Sequence, residues 1–374
     1  DKPLYIFFLM ITQWLSSPNI DHYINVQVLF LAVIPAILFL FTRKVHNIFS
    51  GILVAALFIF REANNISGYQ MFGATNSRLE STEVFISLFL IIYGIVLFYW
   101  FRNKDNLILA VLAGVILGLT SLIRLNPIFI LPVTLISLLY LFKKNLKRGI
   151  LISLIFSIGF IASFSPWYVF SSDPSGQNHL FLKLNEIIQS RYKPTGSIDD
   201  TLISNFKVAS PLPTNGFIQQ EISSPLRIGL HFLNNNLQSF SSLPLEFSFH
   251  TLKYKSGLPV WRDNSGYPSW YYPLNVQNVV LLIFYIFILI SGIKFLYIKY
   301  GFASFAPLII QFGYTIGNGT AMTSGSRYLI PYIWVLYFYI SLGLVNFIGR
   351  FQDFLKIKNT ISKNEFSITS ISLS

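Results

Sequence analysis

The sequence predicts an all-α protein, a polytopic transmembrane helical bundle of about nine spans with an interfacial helix and a large extracytoplasmic loop. Three observations predict it. Hydrophobic residues make up 53% and charged residues 11%, where a soluble domain carries about 25% charged, and the mean hydropathy is +0.58. Apolar runs close to membrane-spanning length recur along the chain. The cations concentrate in every second connection between those runs.

Taken in order, residues 3–15 (PLYIFFLMITQWL) are apolar but fall short of the roughly 20 residues that a spanning helix needs. The first span, 24–42, is followed by Arg43 and Lys44, and the second covers 47–61. The third, 84–101, ends on Arg102 and Lys104. The fourth, 106–123, turns through Arg124, Leu125 and Asn126 into the fifth, 127–142, which is followed by Lys143, Lys144, Lys147 and Arg148. The sixth, 149–170, leaves through Ser165, Pro166, Trp167 and Tyr168, a proline exit with an aromatic-belt anchor. The seventh, 277–297, is flanked at its end by Lys294 and Lys299, and the eighth covers 301–317. The ninth, 328–348, is followed by Arg350, Lys356, Lys358 and Lys363.

By the positive-inside rule the basic connections are cytoplasmic. The connections 62–83, 124–126, 171–276 and 318–327 are then extracytoplasmic, and the tail is cytoplasmic. Residues 3–15 read as an interfacial helix on the outer surface, with Tyr5 and Trp14 at headgroup level. The chain divides into an N-terminal transmembrane part (1–170), an extracytoplasmic loop region (171–276), C-terminal transmembrane helices (277–348) and a cytoplasmic tail (349–374). The loop is rich in Pro, Ser, Asn and Gly, ends in the aromatic cluster Trp261, Trp270, Tyr271 and Tyr272, and allows a short helix near Pro225–Leu237. The chain opens on Asp1, in mid-phrase, so an N-terminal part with at least one more span is expected upstream.

Composition also excludes. With no cysteine, thiolate catalysis, disulfides and cysteine metal sites are absent. The histidines show no zinc-hydrolase spacing, and no phosphate-binding glycine loop occurs. The net charge of +12 is read as topology and contact with anionic lipid, not nucleic acid. No repeat with broken helices suggests an inverted-repeat transporter.

Charges at membrane mouths are the functional candidates. Arg61, Glu62, Asn64 and Asn65 close the second span, and Arg78, Glu80 and Glu83 precede the third, so both groups flank one outer connection. Together they could bind a sugar, hold a divalent cation with water, or deprotonate a hydroxyl; the plain alternative is a snorkelling rim of ion pairs such as Arg61 with Glu83. Arg124 and Asn126 sit in a tight hairpin, as a turn with a helix cap or as a phosphate or acid partner. The stretch Thr323–Leu344 begins with small polar residues and Arg327, then becomes an apolar helix with Pro331 about one turn in. Ser324, Gly325 and Ser326 leave backbone N–H groups free beside Arg327, which makes either an anion seat or a merely snorkelling arginine.

The chain resembles the integral-membrane glycosyltransferases of the GT-C superfamily, in the bacterial branch related to protein O-mannosyltransferases and lipid A aminoarabinose transferase. Asp1-Lys2-Pro3-Leu4-Tyr5 is similar to that family's K-P-P-L-Y phrase, with one proline in place of two. Ala113-Gly114, Gly118-Leu119, Leu122 and Arg124 resemble its A-G-x-x-x-G-L-x-x-L-x-R run, Pro166-Trp167-Tyr168 its P-W-Y exit, and Arg327-Tyr328-Leu329-Ile330-Pro331 its R-Y-L-L-P phrase. The resemblance implies transfer of a sugar from a polyprenyl-phosphate donor to a lipid, glycan or protein acceptor hydroxyl outside the membrane, with inversion. It implies a lysine on the donor phosphate, which Lys2 matches by position; the charges at the membrane mouths add Arg78, Arg124 and Arg327 for that phosphate, Glu62 and Glu83 as catalytic acids that could support acceptor or metal, and Asn64, Asn65, Glu80 and Tyr328 as substrate contacts. The family's principal aspartate lies upstream of the K-P-P phrase, so these 374 residues alone are expected to be inactive. No cofactor is required by this reading, and a metal site stays unassigned. The expected location is the bacterial inner membrane, with the endoplasmic reticulum second; N-x-S/T triplets occur at Asn65 and Asn318. The competing readings are a lipid-linked polysaccharide flippase or transporter, which should carry charges deep in its spans, and a surface-glycan polymerase or ligase.

Overall fold

The computed structural model describes residues 2–16, 20–72, 82–170, 229, 233, 276–320, 330–350 and 352. Among these residues there is helix and no strand. The helices are α1 (Pro3–Ser16), α2 (Ile20–Val45), α3 (Ile48–Phe72), α4 (Thr82–Arg102), α5 (Leu107–Ile123), α6 (Ile130–Leu141), α7 (Leu146–Phe170), α8 (Val276–Tyr300), α9 (Ala306–Thr320) and α10 (Trp334–Arg350). Short 3-10 turns at Asn126–Phe129 and Gly301–Phe305 lead into α6 and α9. Segments Val28–Val45, Phe85–Arg102, Leu146–Val169 and Ile283–Thr320 are long and apolar enough to cross a membrane. The chain is an integral membrane protein.

Helix ends follow local chemistry. Asn106 caps α5, its side chain accepting from Leu109 N at 3.1 Å, and Asn145 Oδ1 accepts from Arg148 N at 3.3 Å as α7 begins. Gly301, at φ +57°, makes the bend after α8 in a left-handed conformation that a side chain would resist. Two helix boundaries differ most from the sequence expectation. α3 does not stop at residue 61 but carries Arg61, Glu62, Asn64 and Asn65 along it to Phe72, since no proline interrupts the run. The last helix starts at Trp334, after a turn over residues 330–333, so Pro331 precedes the helix instead of lying one turn inside it. The large loop's aromatic cluster, the 321–329 connection and the tail beyond residue 352 lie outside the described residues.

The chain forms two compact units that interleave along the sequence. Unit 1 takes Asp1–Phe30, Asn76–Ser241 and Ala306–Tyr332. Its principal seam is α5 against α7. There a Cβ on Gly114 would meet the Phe156 carbonyl oxygen and come within 2.8 Å of Phe160 N, and one on Gly159 would lie 2.6 Å from Val111 O. Lipid is as apolar as leucine, so such close backbone approach supplies dispersion where no hydrophobic drive exists. α9 packs on α4, α6 and the 3-10 turn in the same manner, with Gly313 against Ile130. Tyr93 and Thr134 share a buried hydrogen bond of 2.8 Å between α4 and α6. α1 packs on α5 and stacks Phe8 on Phe85 at 4.4 Å, while Trp14 on its other face is 84% exposed.

Unit 2 takes Leu31–Thr75, Ser242–Phe305 and Ile333–Ser374. In it Gly292 faces the Tyr339 carbonyl and Gly343 the Ile288 carbonyl, so α8 and α10 cross glycine to glycine. Lys299 Nζ and Tyr300 OH both donate to Val45 O at 2.8 Å, which satisfies the last carbonyl of α2 with a cation. The neighbouring His46 bonds Ser50 Oγ through Nδ1 at 2.5 Å. Burial, and secondarily the Lys299 charge, hold its imidazole below the usual histidine range.

Candidate functional site

Unit 1 gathers polar side chains at the end where α4 begins and α5 and α9 finish. Glu83 lies in the first turn of α4 and is fully buried. Arg124 is the C-cap of α5, where an extended backbone (φ −160°, ψ 149°) ends the helix. Arg124 Nη1 donates to Glu83 Oε1 at 3.0 Å, with side-chain exposures of 18% and 0%. A guanidinium on a buried carboxylate is a strong, charge-assisted contact.

The hairpin after Arg124 is fixed by Pro127, second in the 3-10 turn, where a missing N–H costs little. Asn126 Nδ2 donates to Asn318 Oδ1 at 2.6 Å across 192 residues. A Cβ on Gly317 would lie 2.6 Å from Asn126 O, so only glycine lets α9 come this close to the turn. Asn318 is buried, which keeps its N-x-T triplet from serving as a glycan acceptor in the folded chain. About two turns below it on α9, Gln311 is buried with neither amide atom hydrogen-bonded. Among the described residues no three His, Asp or Glu side chains come together as a metal-ligand group.

The other sequence candidates are placed as follows. Lys2 precedes α1, half-buried, and its carbonyl accepts from Ile6 N at 2.9 Å. Glu62, Asn64 and Asn65 lie on α3, within unit 2, and Glu83 and Arg124 within unit 1. Arg78, Glu80, Arg327 and Tyr328 lie outside the described residues. The Asn126–Asn318 bond escaped sequence reasoning. Its signal was Gly313 and Gly317, four residues apart and ending next to Asn318, since glycine at helical spacing marks close backbone approach. Asn318→Leu is expected to lower stability by about 1–2 kcal/mol, because Asn126 keeps its amide and loses its partner. Thermal unfolding of the detergent-solubilised protein measures this, and an unchanged midpoint would show that water replaces the bond at no cost.

No protein-family model and no curated protein matches the sequence. Among solved structures, the archaeal oligosaccharyltransferase AglB from Archaeoglobus fulgidus, in complex with an inhibitory peptide and a dolichol-phosphate, superposes with a TM-score of 0.51 at 14% identity. The match covers 96% of this chain and 44% of that one. A second structure of the Archaeoglobus fulgidus oligosaccharyltransferase, tethered to an acceptor peptide containing the NVT sequon, gives a TM-score of 0.47 and 15% identity over 96% and 43% of the two chains. The chain therefore spans less than half the length of the enzymes it matches. The first likeness shows the fold, which the chain shares with part of that oligosaccharyltransferase.

Proposed function

We propose that the chain belongs to a membrane glycosyltransferase that moves a sugar from a polyprenyl-phosphate-linked donor to an acceptor hydroxyl on the extracytoplasmic side, inverting the anomeric carbon. The observation that carries this reading is the buried Glu83–Arg124 pair, set beside the Asn126–Asn318 bond in a fold shared with an oligosaccharyltransferase. The archaeal structure holds a dolichol-phosphate and a peptide. That supports a lipid-phosphate donor here, with lipid, glycan or protein as acceptor.

In the proposed step the acceptor oxygen bonds to the anomeric carbon as the bond from that carbon to the phosphate oxygen breaks. The proton leaves the hydroxyl for a carboxylate, and the electron pair leaves with the phosphate. Arg124 occupies one oxygen of Glu83, which suits Glu83 to orienting the acceptor. Proton removal is proposed for Glu62. Lys2, Arg78, Arg124 and Arg327 would meet the leaving phosphate, where fixed cations stabilise charge as it develops. Asn64, Asn65, Glu80 and Tyr328 are proposed to contact substrate. For a divalent cation Glu83 would be a weak ligand, because it is already matched by a guanidinium. The proposed setting is the inner membrane of a bacterium, with the 171–276 loop outside and the tail in the cytoplasm.

The test uses the full-length protein in its native membrane and a polyprenyl-phosphate sugar carrying a photo-cross-linker and a radiolabel. The expected result is cross-linking to the 82–124 segment and transfer of label to an acceptor. Movement of the lipid across the bilayer without label leaving it would overturn the reading in favour of a flippase.

A further inference from the structure

The opposite end of unit 1 carries a feature that the proposed reaction does not use. Here the α4–α5 and α6–α7 connections meet, held by Arg148 Nε on Asp105 Oδ1 at 2.8 Å. Arg102, Lys104, Lys143, Lys144, Lys147 and Arg148 are all exposed on this end, and Asp105 is the one acid between residues 102 and 148. Two of the cations rest on aromatic shelves. Lys104 Nζ stands 5.2 Å from the Phe142 ring centroid and Lys143 Nζ 4.8 Å from that of Tyr140. Such contacts restrict long side chains and lower the entropy lost when a ligand is bound.

Around this end the helices turn apolar faces outward, with Ile108 and Leu146 exposed within a turn or so of the cations. A dense cationic rim directly above an exposed apolar wall matches a phospholipid, whose phosphate lies one headgroup depth from its acyl chains. A soluble polyanion would use the cations and leave the wall uncovered. The geometry points to the Arg102–Arg148 end of unit 1 as a docking surface for anionic phospholipid headgroups of the adjoining leaflet, gripped by Lys104, Lys143, Lys144 and Lys147. Arg148 is committed to Asp105 and ties the two connections together. This surface is independent of the glycosyl-transfer reading and would stand if that reading fell.

The full chain in nanodiscs of phosphatidylcholine mixed with phosphatidylglycerol provides the test, with retained lipid read by native mass spectrometry. Each cation near an anionic surface contributes about fivefold in preference. The unmodified chain is expected to keep phosphatidylglycerol at least ~10-fold over phosphatidylcholine, and the variant carrying Lys104→Gln, Lys143→Gln, Lys144→Gln and Lys147→Gln to lose most of that preference. If the variant does not fold, a salt titration of the unmodified chain decides, since the preference must fall as ionic strength rises. Equal retention of both lipids, a preference indifferent to salt, or an undiminished preference in a folded variant would overturn the proposal. So would inorganic phosphate alone displacing the lipid at equal phosphate concentration, which would make the surface a phosphate site.

Discussion

Arg124→Leu is expected to cost about 3–5 kcal/mol of stability, because it takes the guanidinium from a fully buried carboxylate in a membrane protein. Glu83→Gln keeps the shape and an acceptor for Arg124 Nη1, so it should cost no more than about 1–2 kcal/mol. The two variants diverge in stability and converge in function. Transfer is expected to fall on the order of 100-fold in both, the scale seen when one preorganised group is removed from a charged transition state. The double variant Glu83→Leu with Arg124→Leu sharpens the distinction. An apolar pair in place of a buried ion pair is often neutral for folding, so this protein should unfold near the wild-type temperature and transfer no faster than the single variants. Thermal unfolding in detergent and label transfer in membranes read the two quantities separately. Wild-type stability in Arg124→Leu would mean that the pair contributes as little as a surface contact. Wild-type transfer in Glu83→Gln would remove Glu83 from the proposed machinery.

The second large effect concerns the α5–α7 seam. Gly114→Leu is expected to prevent recovery of folded protein, and Gly114→Ala to cost about 3 kcal/mol. What a new Cβ meets at this position is backbone, the Phe156 carbonyl and Phe160 N, and backbone cannot rotate aside as a side-chain tip can. Gly349 is the internal comparison, since a Cβ there meets nothing within 4 Å. Gly349→Ala should be silent or slightly stabilising. Yield of monodisperse protein and its unfolding midpoint check both. A Gly114→Ala protein as stable as the parent would show that the two helices separate freely.

The helices were legible because apolar length is a strong signal: each expected span overlaps a helix, and among the described residues four segments are long and apolar enough to cross a membrane. Their ends were less legible. The apolar run of the second span stops at Arg61, but polarity alone does not end a helix, and Glu62, Ala63 and Gln70 are good helix formers, so α3 continues to Phe72. Glu83 and Arg124 could be singled out as charges at span ends. That they meet, 41 residues apart, depends on how α4 packs against α5. Several cations fall at the same membrane level by sequence, and the pattern alone offered Arg61 as a partner equally well. The interleaving of the two units was not legible at all, because a hydropathy profile records depth in the bilayer and nothing about which helices are neighbours.

The Asn126–Asn318 bond has a meaning for how this protein is made. A ribosome adding about 5–20 residues per second needs roughly 10–40 seconds to travel the 192 residues between the two asparagines. Throughout that interval the α5–α6 hairpin resides in the bilayer with its amide unanswered by α9, as does the Ile130 surface that later receives Gly313. Unit 1 is therefore completed late, by a helix synthesised after most of unit 2's sequence. A chain that stops before α9 leaves the Asn126 amide and the Ile130 surface without the partners they have in the finished fold.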